Sequence, residues 1–206
     1  MSKNREIEAK TLLTKEVYQK LCHAFPLKAD FKQENYYFDS PNFFLKQHQI
    51  GLRIRLFEDH AEQTMKVPDP CPVQKKFHEV IEINDDLSLT HAKELLSQAE
   101  NGHQFTFAGN VGQYLQEHFP EEISQLKLFT WSKTRRILAS GPQNCELTLD
   151  ATSYPDGYQD YELEIENTDP TLIKKVQLEL EEAYSFTQNS KNTNQNKIGR
   201  ATAHRK

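Results

Sequence analysis

The chain has 206 residues, enough for one domain over 1–206, with 36% hydrophobic and 27% charged residues and a mean hydropathy of -0.78. That balance is polar for a globular protein, but 12 Phe and 8 Tyr supply apolar bulk that disordered chains lack. A net charge of -5 and a pI near 5.9 exclude a global basic footprint for nucleic acid, so any anion site must be local.

Cys22, Cys71 and Cys145 are odd in number and widely separated, without metal-ligand spacing, which fits a reduced, intracellular protein. The opening MSKNREIEAK lacks the apolar run of a signal peptide, and no stretch approaches the ~20 apolar residues of a membrane span. The expectation is a cytoplasmic protein with no membrane and no nucleic-acid partner.

A strand is predicted over 5–12, and Thr14 is placed to cap a helix over 15–25. An aromatic strand over 33–39 is broken by Ser40-Pro41-Asn42. Segments 52–57 and 62–67 flank the turn-prone Glu58-Asp59-His60 and read as a hairpin. A Pro-rich loop follows over 68–72, then a strand over 77–84. Short helices are expected at 91–99 and 111–118, lying outside the sheet. Strands resume at 128–139, 146–151 and 158–167, separated by Gly141-Pro142 and Pro155-Asp156-Gly157. Pro170 opens a helix to Tyr184, a polar linker covers 188–196, and 197–205 has helical character. A sheet of about eight such strands either packs in two layers or closes on itself.

Charge recurs at alternate positions, which share one strand face. Glu6, Glu8 and Lys10 do so in the first strand, Arg53 and Arg55 in Leu52–Leu56, and Lys133 and Arg135 in Trp131–Arg135. Lys66 adds an ammonium, Asp150 ends Glu146–Asp150, and Glu162, Glu164 and Glu166 alternate in Tyr161–Glu166. Each face taken alone also suits a solvated strand. Two neighbouring guanidiniums, however, repel unless an anion intervenes, and their forks match phosphate oxygens. Three neighbouring carboxylates repel unless a cation intervenes, and oxygen ligands suit magnesium or manganese. Apolar residues fill the opposite positions. If those pack beneath outer helices, the charged faces line the lumen of a barrel.

The chain here resembles the CYTH family, also called triphosphate tunnel metalloenzymes. The E-x-E-x-K signature is similar to Glu6-Ile7-Glu8-Ala9-Lys10, R-x-R to Arg53-Ile54-Arg55, and T-x-K-x-P to Thr64–Pro68. K-x-R resembles Lys133-Thr134-Arg135, the strand ending in aspartate resembles Leu147–Asp150, and E-x-E resembles Glu162-Leu163-Glu164. The terminal lysine motif resembles Asn196-Lys197-Ile198-Gly199-Arg200, and the branch resembled is that of Gram-positive bacteria. In the fourth strand Glu79 and Glu82 cannot share a regular face; Glu79 is matched and the place of Glu82 left open.

The resemblance implies an α+β fold, an eight-stranded antiparallel β-barrel (a triphosphate tunnel) with peripheral helices. It implies a small-molecule triphosphate bound by Lys10, Arg53, Arg55, Lys66, Lys133, Arg135, Lys197 and Arg200. Mg²⁺ or Mn²⁺ would be held by Glu6, Glu8, Glu79, Asp150, Glu162 and Glu164. Catalysis would involve Glu8, Arg55 and Lys10, the last orienting water or polarising the attacked phosphate. The implied reaction is hydrolysis of tripolyphosphate, thiamine triphosphate or a nucleoside triphosphate, in a monomer or homodimer. Two rivals use the same lining: a class IV-type adenylyl cyclase making cyclic AMP, and a non-catalytic polyphosphate- or nucleotide-binding module.

Overall fold

Period-two patterning requires one sheet face to be buried apolar and the other to hold charge, and closure into a tube satisfies both. A computed structural model describes residues 3–71 and 78–206, with side chains over 7–71 and 80–206. The strands are β1 (Lys3–Leu13), β2 (Leu27–Asp39), β3 (Gly51–Leu56), β4 (Ala61–Pro68), β5 (His78–Leu87), β6 (Lys127–Ser140), β7 (Glu146–Ser153) and β8 (Gln159–Glu166). They form a closed antiparallel barrel in the order β1-β5-β4-β3-β2-β6-β7-β8, sealed by β1 against β8. The expected eight-stranded tunnel is therefore the observed architecture.

The helices are α1 (Lys15–Leu21), α2 (Phe44–Gln47), α3 (Leu89–Glu100), α4 (Gly109–His118), α5 (Pro170–Tyr184) and α6 (Lys197–Ala203). Their starts follow local chemistry: Thr14 Oγ1 accepts the Val17 N–H at 3.3 Å, Ser88 Oγ accepts that of His91 at 3.2 Å, and Asp169 accepts that of Thr171 at 2.7 Å. On the outside, α1 and α5 cover β1, β6, β7 and β8, burying Val17, Leu21, Ile173 and Val176 against Ile7, Ile137, Leu149 and Leu163. On the other flank α3 and α4 pack Leu95, Leu96, Val111 and Leu115 over Phe38, Leu52, Ile54, Met65 and Ile83. The apolar cores thus lie outside the tube, and the lumen is left for polar groups.

Four local expectations change. β2 begins at Leu27 rather than at 33, because residues 27–32 pair with β6 from Leu27↔Ala139 to Lys32↔Arg135. α1 stops at Leu21, and α2 appears where only a break was read, since Asp39 accepts the N–H groups of Leu45 and Lys46 at 2.9 and 3.0 Å. The 188–196 segment is more than a linker. It lies along the part of β1 that β5 leaves unpaired, with Leu12 N–H donating to Asn192 O at 2.7 Å and Asn194 N–H to Lys10 O at 3.0 Å. That strap delivers α6 to one end of the tube, where Ala201 packs on Tyr37 and Tyr154.

Asp85 shows how the outer layer is fixed. Its carboxylate accepts the N–H groups of Asn110 and Val111 at 2.8 and 2.9 Å and the Gln63 amide at 2.9 Å, tying α4 to two strands. Gly109 opens α4 at φ +62, and a Cβ there would stand 2.5 Å from Asp85 Oδ1. Asp85→Ala is expected to lower unfolding free energy by about 1–2 kcal/mol in urea denaturation, the usual cost of an N-cap with its partners.

Candidate metal and phosphate site

Alternation turns one face of every strand into the lumen, and the charged residues meet there around a cavity of about 140 Å³. A larger groove of about 1520 Å³ opens at the tube mouth, but the buried charges belong to the smaller space.

One wall is acidic. β8 supplies Glu162 and Glu164, which stand opposite Asp150 and Thr148 of β7, and Glu164 also faces Lys10 of β1. Asp150, Glu162 and Glu164 are 0%, 1% and 3% exposed, so each must be paired or hold a cation. Lys10 Nζ lies 2.5 Å from Glu164 and 2.9 Å from Glu8. Arg136 grips Asp150 through two bonds of 2.9 and 2.7 Å and reaches Glu164 at 3.2 Å. Lys197, from the first turn of α6, contacts Asp150 and lies 2.9 Å from Glu162.

The opposite wall is basic. Arg53 and Arg55 project from β3, and Lys66 from β4. Lys66 stands across from Glu82 and pairs with it at 2.8 Å, with Arg53 at 4.0 Å. Arg55 donates to Glu62 and to Asn35 Oδ1, each at 2.9 Å.

These pairings set the protonation states. Burial disfavours the Lys10 ammonium, but Glu164 and Glu8 outweigh it and hold its pKa well above the usual lysine range. Burial likewise opposes ionisation of Glu164, yet Lys10, Lys197 and Arg136 hold it well below the usual carboxylate range. Glu8, Glu82 and Asp150 are depressed by the same balance of burial against neighbouring cations. Arg55 goes the other way. Burial and then the Arg53 charge lower its pKa to about 10, with Glu62 compensating only in part. The basic wall is thus short of negative charge, and an incoming anion would relieve it.

The acidic wall suits a divalent cation. Oxygens of Asp150, Glu162 and Glu164 lie within 4.8 Å of one another, as do those of Glu8, Glu164 and Glu166. Glu8 Oε1 is buried with no hydrogen-bond partner among the described residues. An all-carboxylate set matches a hard cation rather than a thiophilic one.

Several expected site residues fall elsewhere. Lys133 and Arg135 point outward, half-exposed, and pair with Glu34 at 2.9 Å and Asp30 at 2.6 Å. Arg136 takes the lumen instead. Burying Ile137 and Ala139 under the outer helices forces the residues between and before them inward. Glu82, left open before, faces the lumen because its neighbour Ile83 belongs to the outer core. The side chains of Glu6 and Glu79 lie outside the described residues. Arg200 is buried but sits at the end of the tube, bound by Asp160 and Glu162 at 2.7 and 2.8 Å; it anchors α6 rather than lining the cavity. Lumen-facing Glu62 was not singled out, since a lone glutamate in Ala61-Glu62-Gln63 gives no pattern.

Two outcomes are expected. Arg136→Met, which strands two buried carboxylates, costs about 3 kcal/mol or more in chemical denaturation, whereas Lys133→Ala costs about 0.5 kcal/mol or less. Because the pKa values of Glu8 and Glu164 are depressed on folding, their stabilisation is full above the unfolded value, 4.5 for glutamate, and is lost as pH falls below it. The melting temperature is therefore expected to hold between about pH 6 and 8 and to drop steeply by about pH 3.

Comparison with known proteins agrees with this geometry. The family model for the CYTH domain matches residues 4–196. YjbK of Bacillus subtilis, provisionally named a triphosphatase, is 36% identical over 87 residues, spanning 41% of this chain and 46% of that protein. The crystal structure of bh2851 from Bacillus halodurans, provisionally named an adenylate cyclase, superposes with a TM-score of 0.80 at 33% identity, covering 97% of this chain and 98% of that one. HpAC1 from Hippeastrum, an adenylyl cyclase by provisional name for which a dominant triphosphatase activity is described, shares the fold at 18% identity and a TM-score of 0.76, over 96% and 95% of the two chains. With a closed charged barrel and a family match along nearly its whole length, the chain belongs to the CYTH family.

Proposed function

We propose that this protein hydrolyses a small triphosphate inside the barrel, with Mg²⁺ or Mn²⁺, releasing orthophosphate and a diphosphate species. Candidate substrates are inorganic tripolyphosphate, thiamine triphosphate and nucleoside triphosphates. The observation that carries the reading is that a carboxylate wall and a guanidinium–ammonium wall face each other across one buried lumen. The relatives named for triphosphatase activity point the same way.

Phosphoryl transfer needs little covalent help from the protein; positioning and charge neutralisation dominate. Arg53, Arg55 and Lys66 are placed to take phosphate oxygens, and Arg136 and Lys197 to take others beside the acidic wall. Lys10 stays protonated at neutral pH and so acts as a donor to a phosphate oxygen rather than as a base. Glu8, Asp150 and Glu164 stay ionised, so they hold a cation rather than donate protons. A divalent ion there would neutralise phosphate charge and lower the pKa of a bound water.

The test is a panel of tripolyphosphate, thiamine triphosphate, ATP and GTP with Mg²⁺, Mn²⁺ and Ca²⁺, with products resolved. Metal-dependent orthophosphate release is expected, reduced by about 100-fold or more in Glu8→Ala and in Arg55→Ala while both variants stay folded. Near-normal turnover in both variants would sink the assignment. Cyclic AMP and pyrophosphate from ATP would replace hydrolysis with cyclase chemistry.

A further inference from the structure

The triphosphate reading leaves one end of the lumen unexplained. On the lumen face of β2, Gln33 is 2% exposed, and neither its amide nitrogen nor its amide oxygen has a hydrogen-bond partner among the described residues. Two positions along, Asn35 Oδ1 accepts from Arg55 Nε, and its amide nitrogen has no hydrogen-bond partner among the described residues. Burying so many unmet polar atoms is costly unless a ligand meets them. Gln33 lines both the charged lumen and the large groove at its mouth, so it stands where the two spaces join.

The mouth is aromatic. Phe57 follows Arg53 and Arg55 at two-residue spacing, about 7 Å beyond Arg55 for an extended chain. Its ring lies 5.8 Å from the Arg55 guanidinium carbon. His60 stacks on Phe57 at 4.2 Å and 11°, and Phe31 leans on it at 5.8 Å. All three rings line the groove.

The chemistry of Gln33 discriminates between occupants. A phosphate would use its N–H donors but would set its carbonyl oxygen against anionic oxygen. A heteroaromatic edge that presents a donor beside an acceptor satisfies both atoms. We infer that this end of the tunnel seats the organic part of the substrate, a flat heteroaromatic ring held by Gln33 and Asn35 and packed against the Phe31–Phe57–His60 wall. The triphosphate tail then runs inward past Arg55 to Arg53. The inference rests on the triphosphate reading and narrows it: the preferred ligand is a ring-bearing triphosphate rather than bare tripolyphosphate.

Calorimetric dissociation constants for β,γ-imido-ATP, thiamine triphosphate and tripolyphosphate test this on the wild type, Phe57→Ala and Gln33→Leu. At least one ring-bearing probe is expected to bind the wild type fivefold or more tighter than tripolyphosphate. Both substitutions should weaken that probe roughly fivefold to hundredfold, the range of one aromatic stack, and leave tripolyphosphate within about twofold. Should Phe57→Ala melt well below the wild type, exposed His60→Ala replaces it. Tripolyphosphate binding as tightly as both ring-bearing probes, or equal weakening of all three, overturns the ring seat. The readout is binding, so absence of turnover on every triphosphate would undo the hydrolase reading while leaving this comparison decisive.

Discussion

Buried charge must be paired, and in this barrel four of the ion pairs join residues that face each other across adjacent strands. Lys10 stands opposite Glu164, Lys66 opposite Glu82, Arg55 opposite Glu62, and Arg136 opposite Asp150. Directly opposed side chains are close enough for ion pairs without help from long loops. The register of each strand pair is therefore also a specification of the charge network. A one-residue slip would send a charged row into the outer apolar layer and an apolar row into the lumen.

Glu164 is the centre of that network, shared by Lys10, Arg136 and, at 3.8 Å, Lys197. Such a cluster is a poor source of stability, because desolvation of each ion offsets most of its attraction to the others. Stability comes instead from the two apolar layers outside the tube. That division of labour leaves the lumen composition free to serve a ligand. It also explains the polar overall composition: the core is a pair of shells, and the centre is charged.

The two walls differ in how well they are satisfied. Asp150 and Glu164 on the acidic side are held ionised by neighbouring cations, while burial and Arg53 lower the pKa of Arg55 on the basic side. The asymmetry would favour negative charge towards β3 and β4 and positive charge towards β1 and β8. α6 ties the arrangement together, since the strap along β1 brings Lys197 into the acidic wall and Arg200 onto Asp160 and Glu162.

Strict alternation in Ile7–Lys10, Leu52–Leu56 and Tyr161–Glu166 determined which residues share a face, and the apolar partners between them determined that the charged face turns inward. Most of the charged lining was legible for that reason, whereas alternation alone left two packed layers and a closed tube both open, and the tunnel followed only from the family resemblance. Lys133-Thr134-Arg135-Arg136 was not, because basic residues occupy both parities there and only pairing with β2 and β7 selects Arg136. Glu82 is a similar case, settled by the outer packing of Ile83. What the sequence could not supply at all was adjacency between distant strands: Asn35 beside Arg55, Gln33 between lumen and groove, Phe57 under His60 at the mouth. Parity is a local property written in one strand, whereas neighbourhood across a barrel depends on strand order, register and closure, which exist only once the sheet has formed.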